Sequence, residues 1–290
     1  MSVWQFLSEP WAFEFMQRAF LTSTVAAVVC AVLSCWLVLI GWSLMGDAIS
    51  HAVLPGVVLA YIVGAPFALG ALVFGLVAVA LIGVVRDSGR VKEDAAMGIV
   101  FTSLFALGLV LISVTPSTTD LNHIIFGNLL GVSWGDLVQI GLIAVGTLAV
   151  LLFKRKDFVL FAFDKAHALA IGLNVRVLGA LLLGLLALTA VTALQVVGII
   201  LVVAMLVIPG ATARLLTSRF NRMLVIAPIT SVVCSVVGVY VSYYLDTATG
   251  ATIVLMQGSL FTVVFAATAF LRARGARRAR LAHRSDLAVV

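Results

Sequence analysis

The chain has 290 residues, 63% of them hydrophobic and 10% charged, with a mean hydropathy of +1.23. Soluble domains are about a quarter charged, so a water-soluble fold cannot hide this much apolar surface and the solvent must be lipid over most of the chain. The net charge of +6 then reads as basic membrane loops rather than a nucleic-acid footprint, and no nucleic-acid partner is expected.

Residues 1–15 carry Trp4, Phe6, Trp11, Phe13 and Phe15 with Glu9, Glu14 and no Lys or Arg. That is the wrong start for a cleaved signal peptide, and it fits an aromatic segment lying at the membrane interface. Residues 16–271 form a transmembrane domain of long, continuous apolar runs. A spanning helix needs roughly 20 such residues, and barrel strands would alternate instead. Nine spans are expected near 20–42, 46–64, 66–85, 94–114, 136–153, 177–195, 197–216, 223–244 and 251–271. The fold class is therefore all-α, a polytopic transmembrane helix bundle. The splits between spans one and two, and six and seven, fall in stretches that stay apolar through a tight turn. Pro209 and Gly210 are expected to kink span seven. Gly98, Gly108, Gly179, Gly184 and Gly198 are expected to let helices pack closely, and Asn128, Gln195 and Gln257 to bond between them. Cys30, Cys35 and Cys234 lie in apolar runs and read as small hydrophobes.

Nine spans put every basic residue except Arg18 on one side, in the loops 86–92, 154–176 and 214–222 and in the tail. The positive-inside rule makes that side the cytoplasm, with the amino end outside and the carboxyl tail inside. Residues 272–290 form an Arg-rich flexible end touching anionic lipid. The loop near 115–135, with His123, is expected to form a short half-helix dipping back into the membrane.

Ionisable groups are expensive inside a membrane and usually face a pathway. Asp47 and His51 stand out, in the stretch LMGDAISHAVLPG at 44–56. Their spacing puts them one turn apart on a helix face. A carboxylate and an imidazole suit a borderline divalent cation such as Mn(II), Fe(II) or Zn(II). Two ligands leave the shell to be completed by water or a partner subunit, which suits an ion that must also leave. The plainer reading is that Asp47 caps the second helix after Gly46 and His51 bonds a neighbour; both roles can coexist. Pro55 and Gly56 loosen the same helix. His123 in an outside loop could meet an arriving metal but reads more simply as solvated, and His167 and His283 need no special role.

In the 154–176 loop, Asp164 is a plausible N-cap, residues 165–171 favour a short helix and Gly172 is a stop signal. That helix either rests on the membrane surface or docks into a groove of a cytoplasmic subunit. There is no phosphate loop of the G-x-x-x-x-G-K-[ST] type, so the chain should not hydrolyse ATP by that route. No catalytic triad or zinc-type motif appears, and the chain is expected to be non-catalytic.

Four stretches together resemble the integral-membrane permeases of metal-ion ABC importers: 44–56, 92–109 (KEDAAMGIVFTSLFALGL), 123–131 (HIIFGNLLG) and 195–212 (QVVGIILVVAMLVIPGAT). The resemblance covers roughly 20–270 and implies the fold of type II, vitamin-B12-type importers. It implies a second permease, identical or homologous, cytoplasmic ATP-binding cassette subunits, and an extracytoplasmic metal-binding protein in the bacterial inner membrane system. It assigns Asp47 and His51 to metal coordination in the pathway. It assigns Asp164, Lys165, Ala166, His167, Ala168, Leu169, Ala170, Ile171 and Gly172 to the helix that couples to the ATPase. No permanent cofactor is implied; the metal is the cargo, with manganese favoured over iron and zinc. A rival reading is an ATP-independent secondary cation transporter, which would need no ATPase.

Overall fold

A computed structural model describes residues 8–87, 92–115 and 129–287. Among the described residues there is no strand, and nine helices are long and apolar enough to cross a membrane. They are α1 (Glu14–Ile40), α2 with α3 (Met45–Ala52, Leu54–Val63), α4 (Phe67–Asp87) and α5 (Glu93–Val114). The rest are α6 (Trp134–Phe153), α9 (Val175–Val197), α10 (Ile199–Leu216), α11 (Phe220–Leu245) and α12 (Thr249–Leu287). Two short helices, α7 (Arg155–Phe163) and α8 (Lys165–Ala170), lie between α6 and α9. The expected spans agree with these helices to within about six residues, except that α12 runs on to Leu287 where the span was expected to end at 271.

The two apolar turns are both made by glycine. Gly41 (φ +90°) ends α1 with its amide and that of Trp42 on the Leu37 carbonyl, at 3.0 and 2.7 Å. Gly198 (φ +82°) separates α9 from α10. Both conformations are ones that L side chains avoid, so a residue with a Cβ would favour one long helix or a strained turn. Gly198 thus makes a turn rather than the close helix contact expected of it.

Helix α1 is apolar on every side and sits among α10, α11 and α6, whereas α12 is the least enclosed span. A helix apolar all round belongs in the interior. The carboxyl end, expected to be flexible, continues α12 as helix to Leu287. At the opposite end of the bundle the aromatic amino segment packs on α11. Trp11 stacks on Phe20 with centroids 4.7 Å apart, and Phe13 lies beside Tyr243. Trp4 and Phe6 lie outside the described residues, as do His123 and Asn128 of the expected half-helix. The side chains of Gln195 and His283 are also outside them.

Close approach between helices falls only partly where the sequence placed it. Gly108 meets the Leu54 side chain and Gly179 the Phe161 ring, but a Cβ on Gly98 or Gly184 would meet nothing within 4 Å. The tightest crossing is instead α3 on α4, where Gly56 and Gly70 face each other so closely that a Cβ on either would strike the other's carbonyl oxygen. Gln257 in α12 bonds Ser231 of α11 through its Nε2 at 3.2 Å, as expected of a polar group between spans. The three cysteines are free and buried.

Candidate functional site

The second span is broken. Val53 separates α2 from α3, and Pro55 stands in the first turn of α3. Pro55 has no amide to continue the α2 ladder, and its ring crowds the carbonyl one turn back. The eight-residue piece Met45–Ala52 therefore carries both candidate ligands on a short, separately placed helix. Gly46 lets it lie directly on α10, since a Cβ there would come 2.8 Å from Leu206 Cδ1.

Asp47 does not cap this helix. The N-cap position is Leu44, no side-chain cap bond is made, and Asp47 lies in the first turn. The chain leaves the Gly41 turn so that helical geometry resumes at Met45, two residues before the carboxylate. Asp47 instead faces His51: its Oδ1 is 3.3 Å from His51 Nδ1, and its carbonyl oxygen is 3.0 Å from the same nitrogen. Both of these are acceptors, so Nδ1 carries the hydrogen, and in the neutral ring the lone pair is on Nε2. A carboxylate that holds an imidazole this way fixes the direction in which its other nitrogen points.

The His51 ring is held edge-to-face by Phe101 and Phe105, with centroids at 5.3 and 5.4 Å. These phenylalanines straddle the midpoint of the 22-residue α5, so the imidazole lies near mid-depth of the bundle. Both side chains remain partly open, His51 at 26% and Asp47 at 38%. A cavity of about 190 Å³ opens beside His51, lined also by Ser50, Leu54, Phe105, Leu109 and Ile112. Leu109 and Ile112 lie in the half of α5 away from the basic loops, and the cavity reaches Leu194 and Ile199 at the Gly198 turn. It therefore leads from mid-depth toward the end opposite the basic loops through an almost wholly apolar wall. Phe101, Phe105 and Leu54 were not singled out from sequence. The signal was the i, i+4 spacing of the two phenylalanines, which matches that of Asp47 and His51, but only the fold shows that the two pairs meet.

The short helix expected in the 154–176 loop forms. Asp164 Oδ1 accepts the His167 amide at 2.8 Å and caps Lys165–Ala170. Gly172 (φ +87°) ends it. Ala168 is buried against the bundle, while Asp164, Lys165, Ala166, His167, Leu169, Ala170 and Ile171 are exposed. Leu169 and Ile171 show 60% and 57% of their surface. Among the described residues no three His, Cys, Asp or Glu side chains gather as a closed metal cage.

Among the described residues, nine apolar helices make a multi-pass membrane bundle, and a broken second span carrying a paired carboxylate and imidazole at mid-depth is suited to a permease. The chain belongs to the ABC 3 transport family, whose model matches residues 12–268. It is 53% identical to the manganese transport system membrane protein MntB of Synechocystis, covering 90% of this chain and 85% of that protein. It is 50% identical to the Haemophilus influenzae protein named "Probable iron transport system membrane protein", covering 91% of this chain and 97% of that protein. The solved structure of PsaBC from Streptococcus pneumoniae in complex with Fab superposes with a TM-score of 0.81 at 40% identity, over 91% of this chain and 95% of that one. The all-α fold of an ABC importer permease is thus shown, and the rival of an ATP-independent transporter finds no support in these likenesses.

Proposed function

We propose that this chain is the membrane subunit of an ATP-driven importer of a divalent transition metal, with manganese the favoured cargo, ferrous iron next and zinc third. The observation that carries it is the Asp47–His51 pair at mid-depth, with Nδ1 occupied by Asp47 and Nε2 left to ligate. The transport systems in which its relatives are named, manganese and iron, agree with the mixed oxygen and nitrogen donors. Two donors from one chain are completed by water or by the same pair on a second permease, identical or homologous.

The mechanism follows from the geometry. An extracytoplasmic metal-binding protein releases the cation at the end away from the basic loops, where the apolar cavity begins. Asp47 lowers the cost of bringing a dication into a low-dielectric passage, and the neutral His51 ring adds a nitrogen whose direction Asp47, Phe101 and Phe105 fix. Cytoplasmic ATPase subunits seat on the helix capped by Asp164, with Leu169 and Ile171 as its apolar contacts. ATP hydrolysis resides in those subunits, and their closure moves the bundle between two access states. By the positive-inside rule the chain sits in the inner membrane with its amino end outside and its carboxyl end in the cytoplasm.

The test is ATP-dependent uptake of manganese, ferrous iron and zinc into vesicles holding this permease, its ATPase and its binding protein. Asp47→Asn, still assembled, should lose at least about tenfold in rate, the scale of one charge-assisted ligand removed. Transport by the variant at the wild-type rate would remove Asp47 from the pathway.

A further inference from the structure

On the basic side of the bundle, well away from His51, α4 and α9 part to leave a cavity of about 550 Å³. Its walls mix small and branched residues, Gly83 and Val79 of α4 and Gly179 and Leu183 of α9, beside the Phe161 ring. Its rim carries three cations, Arg86 at the end of α4, which also lies over the Trp42 ring, Lys165 of α8 and Arg176 in the first turn of α9, and among the described residues no carboxylate lines it. Lys165 lies over the Phe161 ring at 5.3 Å, a contact that leaves its ammonium hydrogens for an anion. Neither Lys165 nor Arg176 forms an ion pair among the described residues. The flanking surface is apolar and open, with Val84 at 70% and Val177 at 59% exposure.

A cation rim above a glycine-lined apolar cleft, at the level where a cytoplasmic leaflet places its phosphates, matches one amphiphile. We infer that this cavity binds the phosphate of an anionic phospholipid through Lys165 and Arg176, with an acyl chain lying along Gly83 and Gly179. Basic pockets between spans on the cytoplasmic side are suited to such headgroups. The absence of a Cβ matters at Gly83, where nothing lies within 4 Å and a chain can run against the helix backbone. Because Lys165 also belongs to the helix proposed to seat the ATPase, a bound lipid would touch the moving part of the importer directly.

The test reads lipid retention and not transport, so its failure is distinct from failure of the metal reading. The permease assembled with its ATPase, in neutral detergent, is titrated with phosphatidylglycerol, phosphatidylcholine or inorganic phosphate and followed by native mass spectrometry. Phosphatidylglycerol should be retained and phosphatidylcholine not. Lys165→Gln with Arg176→Gln should weaken retention roughly thirtyfold, the scale for two cations near a phosphate. Arg219→Gln with Arg222→Gln, the same charge change in another basic loop, should leave it within about twofold. Gly83→Leu fills the cleft without changing charge and should lose the lipid while leaving phosphate binding intact. Equal weakening by both double variants would mean general electrostatic attraction and no site. Phosphate retained without lipid would overturn the acyl cleft, and phosphatidylglycerol retained by the permease alone but not by this assembly would make the cavity part of the ATPase seat. Each of these three results overturns the proposal.

Discussion

Ser34 of α1 braces α10 on both sides of Pro209: its Oγ accepts the Gly210 amide at 2.9 Å and donates to the Val207 carbonyl at 3.3 Å. A proline inside a helix removes one amide and displaces its neighbours from the ladder, and in a membrane those groups have no water to turn to. The sequence places Ser34 far from Pro209, yet its hydroxyl bonds one backbone group on each side of that proline. Gly210 is required for this approach, because a Cβ there would collide with Ser34 Oγ and lie 2.6 Å from the Ser34 carbonyl oxygen.

Ser34→Ala removes both of these bonds between helices and should cost about 1–3 kcal/mol. Gly210→Ala should cost at least as much, since overpacking against fixed backbone forces two central helices apart. Thermal unfolding of the purified permease checks both; a Gly210→Ala protein melting with the wild type would show that the two helices do not meet this way.

The glycines separate into two groups that alanine substitution should tell apart. Gly56→Ala and Gly70→Ala each place a Cβ on the opposing carbonyl and should cost about 1–3 kcal/mol or prevent assembly. Gly98→Ala and Gly184→Ala meet open space and should be neutral or stabilising by up to about 1 kcal/mol, the helix-propensity gain. A melting series over the four variants reads the difference, and equal losses at Gly56 and Gly98 would contradict the observed crossing.

Asp47→Asn distinguishes a ligand from a cap by stability as well as transport. Losing a cap costs about 1 kcal/mol, but Asp47 makes no cap bond here, and an Asn oxygen can still accept from His51 Nδ1. The variant should melt within about 0.5 kcal/mol of the wild type while uptake falls. His51→Ala should lose uptake too, and it also empties the slot between Phe101 and Phe105. A destabilised Asp47→Asn protein would return the residue to a structural role.

The spans and the short helix in the 154–176 loop were legible because their signals are local: apolar runs long enough for lipid, Asp164 before the helix and Gly172 after it. The same locality hid the rest. Asp47 follows a glycine and looks like a cap, and only the conformation of Gly41 and the restart of helix at Met45 place it inside the first turn. Whether a glycine packs depends on which face its helix turns to a neighbour, so Gly98 and Gly56 look alike in sequence and differ in the fold. The aromatic slot around His51 joins residues some 50 positions apart, and nothing in either stretch names the other.

Asp164 gives the clearest test of coupling. A six-residue helix cannot hold itself in water; α8 depends on the Asp164 bond to the His167 amide at 2.8 Å, on the Gly172 turn and on its packing through Ala168. Asp164→Ala removes the first of these for about 1 kcal/mol, enough to reduce the folded helix about fivefold relative to its frayed form. Asp164→Ser, which can still cap, should restore most of it. If α8 transmits ATPase movement, the alanine variant should keep ATP hydrolysis within about twofold while metal uptake per ATP falls by a larger factor, and the serine variant should recover the ratio. Uptake and hydrolysis measured in the same vesicles decide this. A parallel fall in both would place Asp164 in assembly of the complex, whereas an unchanged ratio with an unchanged rate would mean that the ATPase moves the bundle through some other contact.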